Sequence, residues 1–303
     1  MKDNYTAVSE LAAKHLGQVG GAGYSDQYDP SLLVPIPRQL NRDAYGINGK
    51  KLPFVGVDVW NAYEVSAITH KGLPVSGMLK IICDAGSKYH IESKSIKLYL
   101  NSFNMTPLGF SAWECIREIE NRVARDLSER LESNVIVKMF TQDDDSEEYS
   151  LQGYVDIKNL EDLDMVKFDT YHSDETILKL SSQSNELREF KFKSDLLRSN
   201  CRVTNQPDWG DIYILMNSYL QPDYESVAKY IVSHRKVNHF HEEICEMVFT
   251  HMMKAYNPSD LMVSCLYTRR GGIDINPIRA TSSDLIPKQV LNPEVRLSKT
   301  LRQ

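Results

Sequence analysis

One short pattern occurs twice in this sequence, and the repetition narrows the possible folds more than any other feature. Tyr99-Leu100-Asn101-Ser102-Phe103 has the shape of Tyr230-Ile231-Val232-Ser233-His234. Each is followed by a long amphipathic helix. The first runs from Ala112 to Leu131, with Trp113, Ile116, Ile119, Val123 and Leu127 at helical spacing, and the second from Glu242 to Ala255, with Ile244, Val248 and Met252 on one face. Each helix leads to a similar strand, Val137 to Thr141 in the first half and Cys265 to Thr268 in the second. A chain that runs strands, helices, strands twice over must cover two similar apolar faces. The expectation is therefore an α+β protein of two related modules.

The rest of the chain fits around that frame. Phe54 to Trp60, Tyr63 to Thr69 and Leu73 to Cys83 read as strands of the first half. Asp211 to Tyr219 and Leu261 to Thr268 do so in the second, with Phe190 to Leu197 leading in and a helical region from Val227 to Ser233. Ser9 to Leu16 has a short helical face, and Asp29-Pro30 to Pro37-Arg38 is a proline-punctuated extended arm that wraps a neighbouring surface. Gly17 to Gly23 is glycine-rich but follows a helix rather than a strand and lacks dinucleotide spacing, so it reads as a flexible connection. The acidic run Gln142 to Glu148 reads as a solvated linker, with short strands expected at Tyr154 to Tyr171 and Thr176 to Leu180. The expected division is an arm over 1–50, a first module over 51–145, a linker over 146–190 and a second module over 191–303.

Charge and cysteine content exclude several classes of function. The net charge is −6 and no Lys/Arg run resembles a nucleic-acid or membrane footprint, so no direct nucleic-acid partner is expected. The N-terminal residues lack the apolar core of a signal peptide, and no apolar stretch approaches a membrane span. Five scattered cysteines without C-x-x-C spacing suit free thiols in a reducing cytoplasm.

The chemistry concentrates between Leu196 and Asp211. Cys201 stands seven residues before Asp208, which lies in a Pro-Asp-Trp-Gly turn, and Gln206-Pro207 and Gly210 bend the chain between and after them. A strand end followed by a turn would bring thiol and acid to one small pocket, where a thiolate nucleophile needs a proton partner. Taken alone, the two residues also fit a buried filler and a turn former. Near the second long helix, Phe240-His241-Glu242 supplies a carboxylate suited to the N–H edge of a guanine-like base, or else a charge favoured at a helix start. His239, His241, Cys245 and His251 cluster there too, without the spacing of a metal motif. Lys94 and Lys97 alone read as solvated charges.

Four ordered blocks carry a resemblance. Ser199 to Gly210, Glu92 to Phe103, Phe240 to Glu242, and Tyr267 to Pro277 together resemble the signatures of the NADPH-dependent 7-cyano-7-deazaguanine reductases, nitrile reductases of queuosine biosynthesis, in their long two-module form. The resemblance implies tandem tunnelling-fold modules of the GTP cyclohydrolase type: antiparallel sheets with helices on one face, closing a barrel in a homodimer. It further implies a cytoplasmic enzyme that reduces the nitrile of a small deazaguanine to a primary amine through a covalent cysteine thioimide, with two NADPH per turnover and no metal. By match to the family motifs, Cys201 is the nucleophile, Asp208 the general acid, and His241 shares proton transfer. Ile91, Glu92, Ser93, His241 and Glu242 hold the base, while Ser93, Lys94, Arg270 and Gly271 hold NADPH. Two alternatives stand beside this reading: a zinc-dependent ring-opening enzyme of the cyclohydrolase type, and a non-catalytic purine-binding module.

Overall fold

The computed structural model describes residues 25–202 and 204–303. The expected helix at Ser9 to Leu16, the Gly17 to Gly23 connection and Val203 of the cysteine block lie outside the described residues. The main elements are β1 (Val55–Ile68), β2 (Pro74–Asp84), α1 (Ser93–Asn101), α2 (Ala112–Leu131) and β3 (Val135–Phe140) in the first half. The second half contributes β4 (Leu180–Cys201), β5 (Pro207–Pro222), α3 (Tyr224–Ser233), α4 (His241–Tyr256), β6 (Asp260–Tyr267) and β7 (Ile273–Ala280).

The seven long strands form one antiparallel sheet in the order β4-β5-β6-β7-β1-β2-β3. Within each half neighbours in space are neighbours in sequence, and the two helices are inserted between the second and third strands. The halves are sewn together by the β7–β1 ladder, with Pro277 opposite Asp58 and Ile275 opposite Trp60. The protein is thus α+β, with tandem modules sharing a single sheet.

The repeated sequence pattern has a shared local cause. In α1 the N-cap Glu92 carboxylate accepts the Ser95 N–H at 2.8 Å, and Ser95 Oγ donates back to the Glu92 carbonyl at 2.7 Å. In α3 Asp223 and Ser226 do the same, at 3.2 and 2.7 Å. At the other ends Ser102 Oγ donates to the Tyr99 carbonyl and Ser233 Oγ to the Tyr230 carbonyl. These bonds satisfy backbone groups that a helix end leaves open. Tyr99 and Tyr230 are fully buried, one in each module's core.

Each helix pair covers its own stretch of the sheet. The second-module core joins Ile244, Val248, Phe249 and Met252 of α4 to Ile212, Ile214 and Val263 of the sheet. The first joins Ile119, Val123 and Leu127 of α2 to Leu79 and Ile81. Each such side chain contributes about 1.5–3 kcal/mol by leaving water, enough to fix the register of α4 and hence the position of its first turn. A smaller cluster on the opposite face places Ile286 and Val290 of the C-terminal segment over Val59, Met262 and Ile278.

Two expectations fail. Trp113, placed on the apolar face of α2, is 69% exposed. At 100° per residue it lies well away from the face defined by Cys115, Ile119 and Val123. The strands expected over Tyr154 to Tyr171 and Thr176 to Leu180 reduce to Val155–Asp156 and the start of β4, interspersed with 3-10 turns at Ile157–Asn159, Leu163–Met165 and Glu175–Ile177. Asp156 accepts the Lys158 N–H and Asp174 the Thr176 N–H, so side chains bend the backbone where a ladder was expected. No helix among the described residues is long and apolar enough to cross a membrane.

Candidate active site

β4 ends at Cys201 and β5 begins at Pro207, joined by a tight connection that turns the chain back on itself. The Cys201 N–H donates to the Gln206 carbonyl at 2.8 Å, and the Asn205 N–H to the Cys201 carbonyl at 3.0 Å. Asn205 adopts a left-handed conformation, φ 57°, which asparagine tolerates better than most residues. The ladder sets Ser199 opposite Asp208, so the thiol and the acid sit at the same end of one hairpin.

That end opens into a cavity of about 260 Å³. The structure brings Ile91, Glu92, Ser93, Lys94, Cys201, Asp208, His241, Glu242 and Arg270 to its walls, drawn from both modules. Gly271, assigned beside Arg270 by resemblance, does not line it. Its φ is 54°, and a Cβ there would stand 3.2 Å from both Cδ and Nζ of Lys97. The glycine therefore leaves room for a lysine that does line the cavity.

The groups facing this space differ in how far they are already paired. Asp208, 4% exposed, is bound by Arg270 and lies 3.3 Å from His241 Nε2. Burial works to raise its pKa, but the hydrogen bonds and charges of His241 and Arg270 outweigh that and hold the carboxyl below its ordinary value. His241 stacks flat on Tyr267, with ring centroids 3.9 Å apart, and its Nδ1 is buried without a partner. Gly210 makes the stack possible, because a Cβ would press at 3.2 Å on the Tyr267 ring.

Glu242 and Glu243 occupy successive positions in the first turn of α4 and have opposite fates. Glu243 accepts from Tyr45 at 2.9 Å, pairs with His239 at 2.8 Å and Arg202 at 3.1 Å, and its pKa is lowered against the pull of burial. Glu242 is 4% exposed, and its Oε1 is buried with no donor. Burial, reinforced by the Asp58 charge, pushes its pKa up to about 7. A carboxyl so placed lacks donors that a ligand could supply.

Glu92 spends one oxygen on capping α1, while the helix's first turn also carries Ser93 and Lys94. Trp60, Ile273 and Ile275 form an apolar wall from β1 and β7, and Phe240, edge-on to the buried His90 at 4.6 Å, stands opposite in sequence origin. Lys97, Trp60, Phe240, Thr204 and Gln206 line the cavity without having been singled out for a role there. The available signal was position: Lys97 lies inside the Glu92 block, Thr204 and Gln206 inside the cysteine block and Phe240 beside His241, whereas Trp60 lies in none of them. Lys97 is the charged one. It is half-buried, and desolvation, aided by the Arg270 charge, lowers its pKa, while Glu92, Cys201 and Asp208 oppose the shift.

Cys201 is the half-buried cysteine; Cys83, Cys115, Cys245 and Cys265 are all buried. The histidines near α4 do not converge. His239 turns to Glu243, His241 to Asp208 and His251 to Tyr230, while the Cys245 thiol contacts the Val263 carbonyl. Among the described residues no group of three or more His, Cys, Asp or Glu side chains could hold a metal ion.

Comparison with known proteins takes in three of the four blocks whole, and of the cysteine block only Pro207 to Gly210. Residues 24–139 match a family model described as "Nitrile reductase, 7-cyano-7-deazaguanine-reductase N-term", and residues 207–284 match one described as "QueF-like protein". A solved structure titled as the archaeosine synthase QueF-Like in the apo form is 18% identical over 32% of this chain and 95% of its own, with a TM-score of 0.29, a likeness too slight to build on. The two family models together span roughly two thirds of the sequence and place their halves on the two modules that meet at the cavity. The chain belongs to the 7-cyano-7-deazaguanine reductase family, the nitrile reductases, in its two-module form.

Proposed function

We propose that this protein reduces the nitrile of 7-cyano-7-deazaguanine to the primary amine 7-aminomethyl-7-deazaguanine with two NADPH, in the cytoplasmic biosynthesis of queuosine. One observation carries the reading: a buried carboxylate whose Oε1 has no donor, Glu242, faces the same small cavity as the half-buried thiol Cys201. A guanine-type base presents adjacent N–H donors that two carboxylate oxygens can accept, and its burial against Trp60 and Phe240 would exclude water. Glu92 and Ile91 contribute from the first module, and a cavity of about 260 Å³ suits a bicyclic heterocycle.

The nucleophile is Cys201. As its sulfur bonds to the nitrile carbon, the thiol proton passes to Asp208, which stands ionised in the free protein because Arg270 and His241 stabilise its charge. Asp208 then returns that proton to the nitrile nitrogen, so it acts as base before it acts as acid. His241, in contact with Asp208, replenishes the proton. The product of this step is a thioimide, a better electron acceptor than the nitrile. NADPH, when bound, would supply a hydride for the thioimide carbon and a second for the imine carbon; Asp208 and His241 would pass one proton to the substrate nitrogen with each, and Cys201 would leave as its thiol when the C–S bond breaks. Ser93, Lys94, Lys97 and Arg270 would hold the cofactor: three cations at one cavity mouth fit a phosphate-bearing ligand, and Arg270 would divide its charge between that ligand and Asp208.

A homodimer in which sheets meet edge to edge is part of the proposal. β3 ends the sheet with one side free of a ladder partner among the described residues, an arrangement that invites pairing with a second copy. The deciding assay is loss of NADPH absorbance on adding the cyano base, with the cofactor and amine counted. A ratio of two to one is expected; no oxidation, or a ratio of one, would overturn the reaction.

A further inference from the structure

Behind the cavity lies a set of charges that the chemistry above does not use. Arg38 and Arg42 of the N-terminal arm, Asp58 of β1, Glu246 of α4 and Arg279 of β7 are all buried. Arg38 Nη2 meets Asp58 Oδ2 at 2.5 Å, and Asp58 Oδ1 accepts from Arg279 Nη1 at 2.8 Å. Arg279 and Arg42 converge on Glu246 at 2.9 and 2.7 Å. Three guanidiniums thus face two carboxylates, leaving one positive charge unbalanced. Glu242, whose Oε1 has no partner, shares a small internal space with Arg38, Asp58 and His90.

The arm is held at this spot by bonds that also touch the other cavity carboxylate. The Val34 carbonyl accepts the Glu92 N–H at 3.0 Å, and the Val34 N–H donates to Ser95 Oγ at 3.1 Å. Pro35–Pro37 pairs antiparallel with Tyr89–Ile91, and Arg38 Nε donates to Ser87 Oγ at 3.1 Å and the Tyr89 carbonyl at 3.2 Å. Arg38 has little freedom to turn elsewhere. Five residues of the arm therefore touch the supports of both carboxylates.

We propose that Arg38 is a positioning residue for base recognition: it holds Asp58 with one nitrogen and supplies the unbalanced positive charge that lets Glu242 meet the base as a carboxylate. This rests on the reading of Glu242 as a base ligand. The groups around Glu242 set the direction of the effect. Arg38 from the arm and His241 from its own helix favour its ionised form, while Asp58 from β1 and burial oppose it. Cys83 of β2, Tyr267 of β6 and His90 are kept neutral by burial and add no charge of their own near pH 7. Removing Arg38 should make Glu242 harder to ionise, and removing the Asp58 charge should make it easier.

The test is affinity for 7-cyano-7-deazaguanine against pH, by calorimetry, in the full chain carrying Cys201→Ala so that binding stays noncovalent. In that parent, affinity should fall as pH drops through the Glu242 transition. Adding Arg38→Met should move the midpoint up by about one pH unit, costing about threefold in affinity at pH 7.5, about tenfold well below pH 7 and little at pH 9. Adding Asp58→Asn should move it down by a similar amount, and Arg38→Lys should stay near the parent. Opposite shifts cannot come from loosened structure, which would weaken binding at every pH; thermal melts identify any variant that is unfolded. Uniform weakening with an unmoved midpoint, or shifts of the same sign, would overturn the role given to Arg38. A Glu242→Gln control separates the two claims. If it binds like the parent, base recognition by Glu242 falls and this inference with it; if it binds weakly and without pH dependence while Arg38→Met leaves the midpoint in place, only the inference falls.

Discussion

Replacing Glu242 by glutamine should stabilise the free protein while it weakens recognition of the base. The carboxyl is 4% exposed, its Oε1 has no donor, and its pKa is pushed from an ordinary 4.5 to about 7. The folded protein therefore retains a proton that the unfolded chain releases between those values. Stability is fullest below about pH 4.5 and is lost as pH rises through about 7. The gap corresponds to about 3 kcal/mol, which for a chain of this size moves the melting midpoint by about 5 °C. Glutamine carries no charge to desolvate, so Glu242→Gln should melt about 5 °C above the parent at pH 8.5 and level with it near pH 5. The same variant should lose about 10–100-fold in affinity for the cyano base at pH 8, the value of charge-assisted hydrogen bonds given up. Melting curves across that pH range, with and without the base, measure both effects. A variant less stable than the parent at pH 8.5 would mean that Glu242 has an internal partner, and the argument from its missing donors would fail.

Other perturbations follow from the same geometry. Arg270→Ala should raise the KM for NADPH far more than that for the base. It should also move the acid limb of the pH–rate profile upward, because Asp208 loses one of the two groups that lower its pKa; an unmoved limb would detach Arg270 from Asp208. Gly271→Ala should lower the melting midpoint slightly, since a left-handed backbone costs about 1 kcal/mol with a Cβ, and should raise the NADPH requirement by displacing Lys97; unchanged kinetics would remove Lys97 from the cofactor's reach. Arg279→Met leaves Asp58 and Glu246 short of a buried partner and should destabilise the fold by about 3–5 kcal/mol by denaturant titration, whereas Lys88→Met, which breaks an exposed pair, should leave the unfolding midpoint nearly unmoved.

What could be read from the sequence was whatever its local pattern encodes. The paired helix ends, with Tyr99 and Ser102 in one half and Tyr230 and Ser233 in the other, announce two modules because the same short-range bonds recur. Cys201 and Asp208 could be placed together because a hairpin joins neighbouring residues. The linker between modules was misread because its apolar residues suggest strands, whereas Asp156 and Asp174 bend the backbone locally. Trp113 was misplaced because a large apolar side chain near a helix start looks like core until the face is defined by Cys115 and Ile119. The choice between Glu242 and Glu243 had only a family motif behind it. In space Glu243 is claimed by Tyr45, Arg202 and His239 and Glu242 is not, a distinction that depends on residues far apart in the chain. Arg38 was hidden for the same reason: a proline-rich arm gives no hint that this arginine ends against Asp58.

The central claim is that a covalent bond forms at Cys201 before any electrons are transferred. Intact-protein mass spectrometry of the chain incubated with 7-cyano-7-deazaguanine and no NADPH tests it most directly. The account predicts a gain of one base per chain, mapped to the Cys201 peptide and missing from Cys201→Ala. An unmodified protein that nonetheless turns over when NADPH is added, or an adduct at another residue, would contradict it.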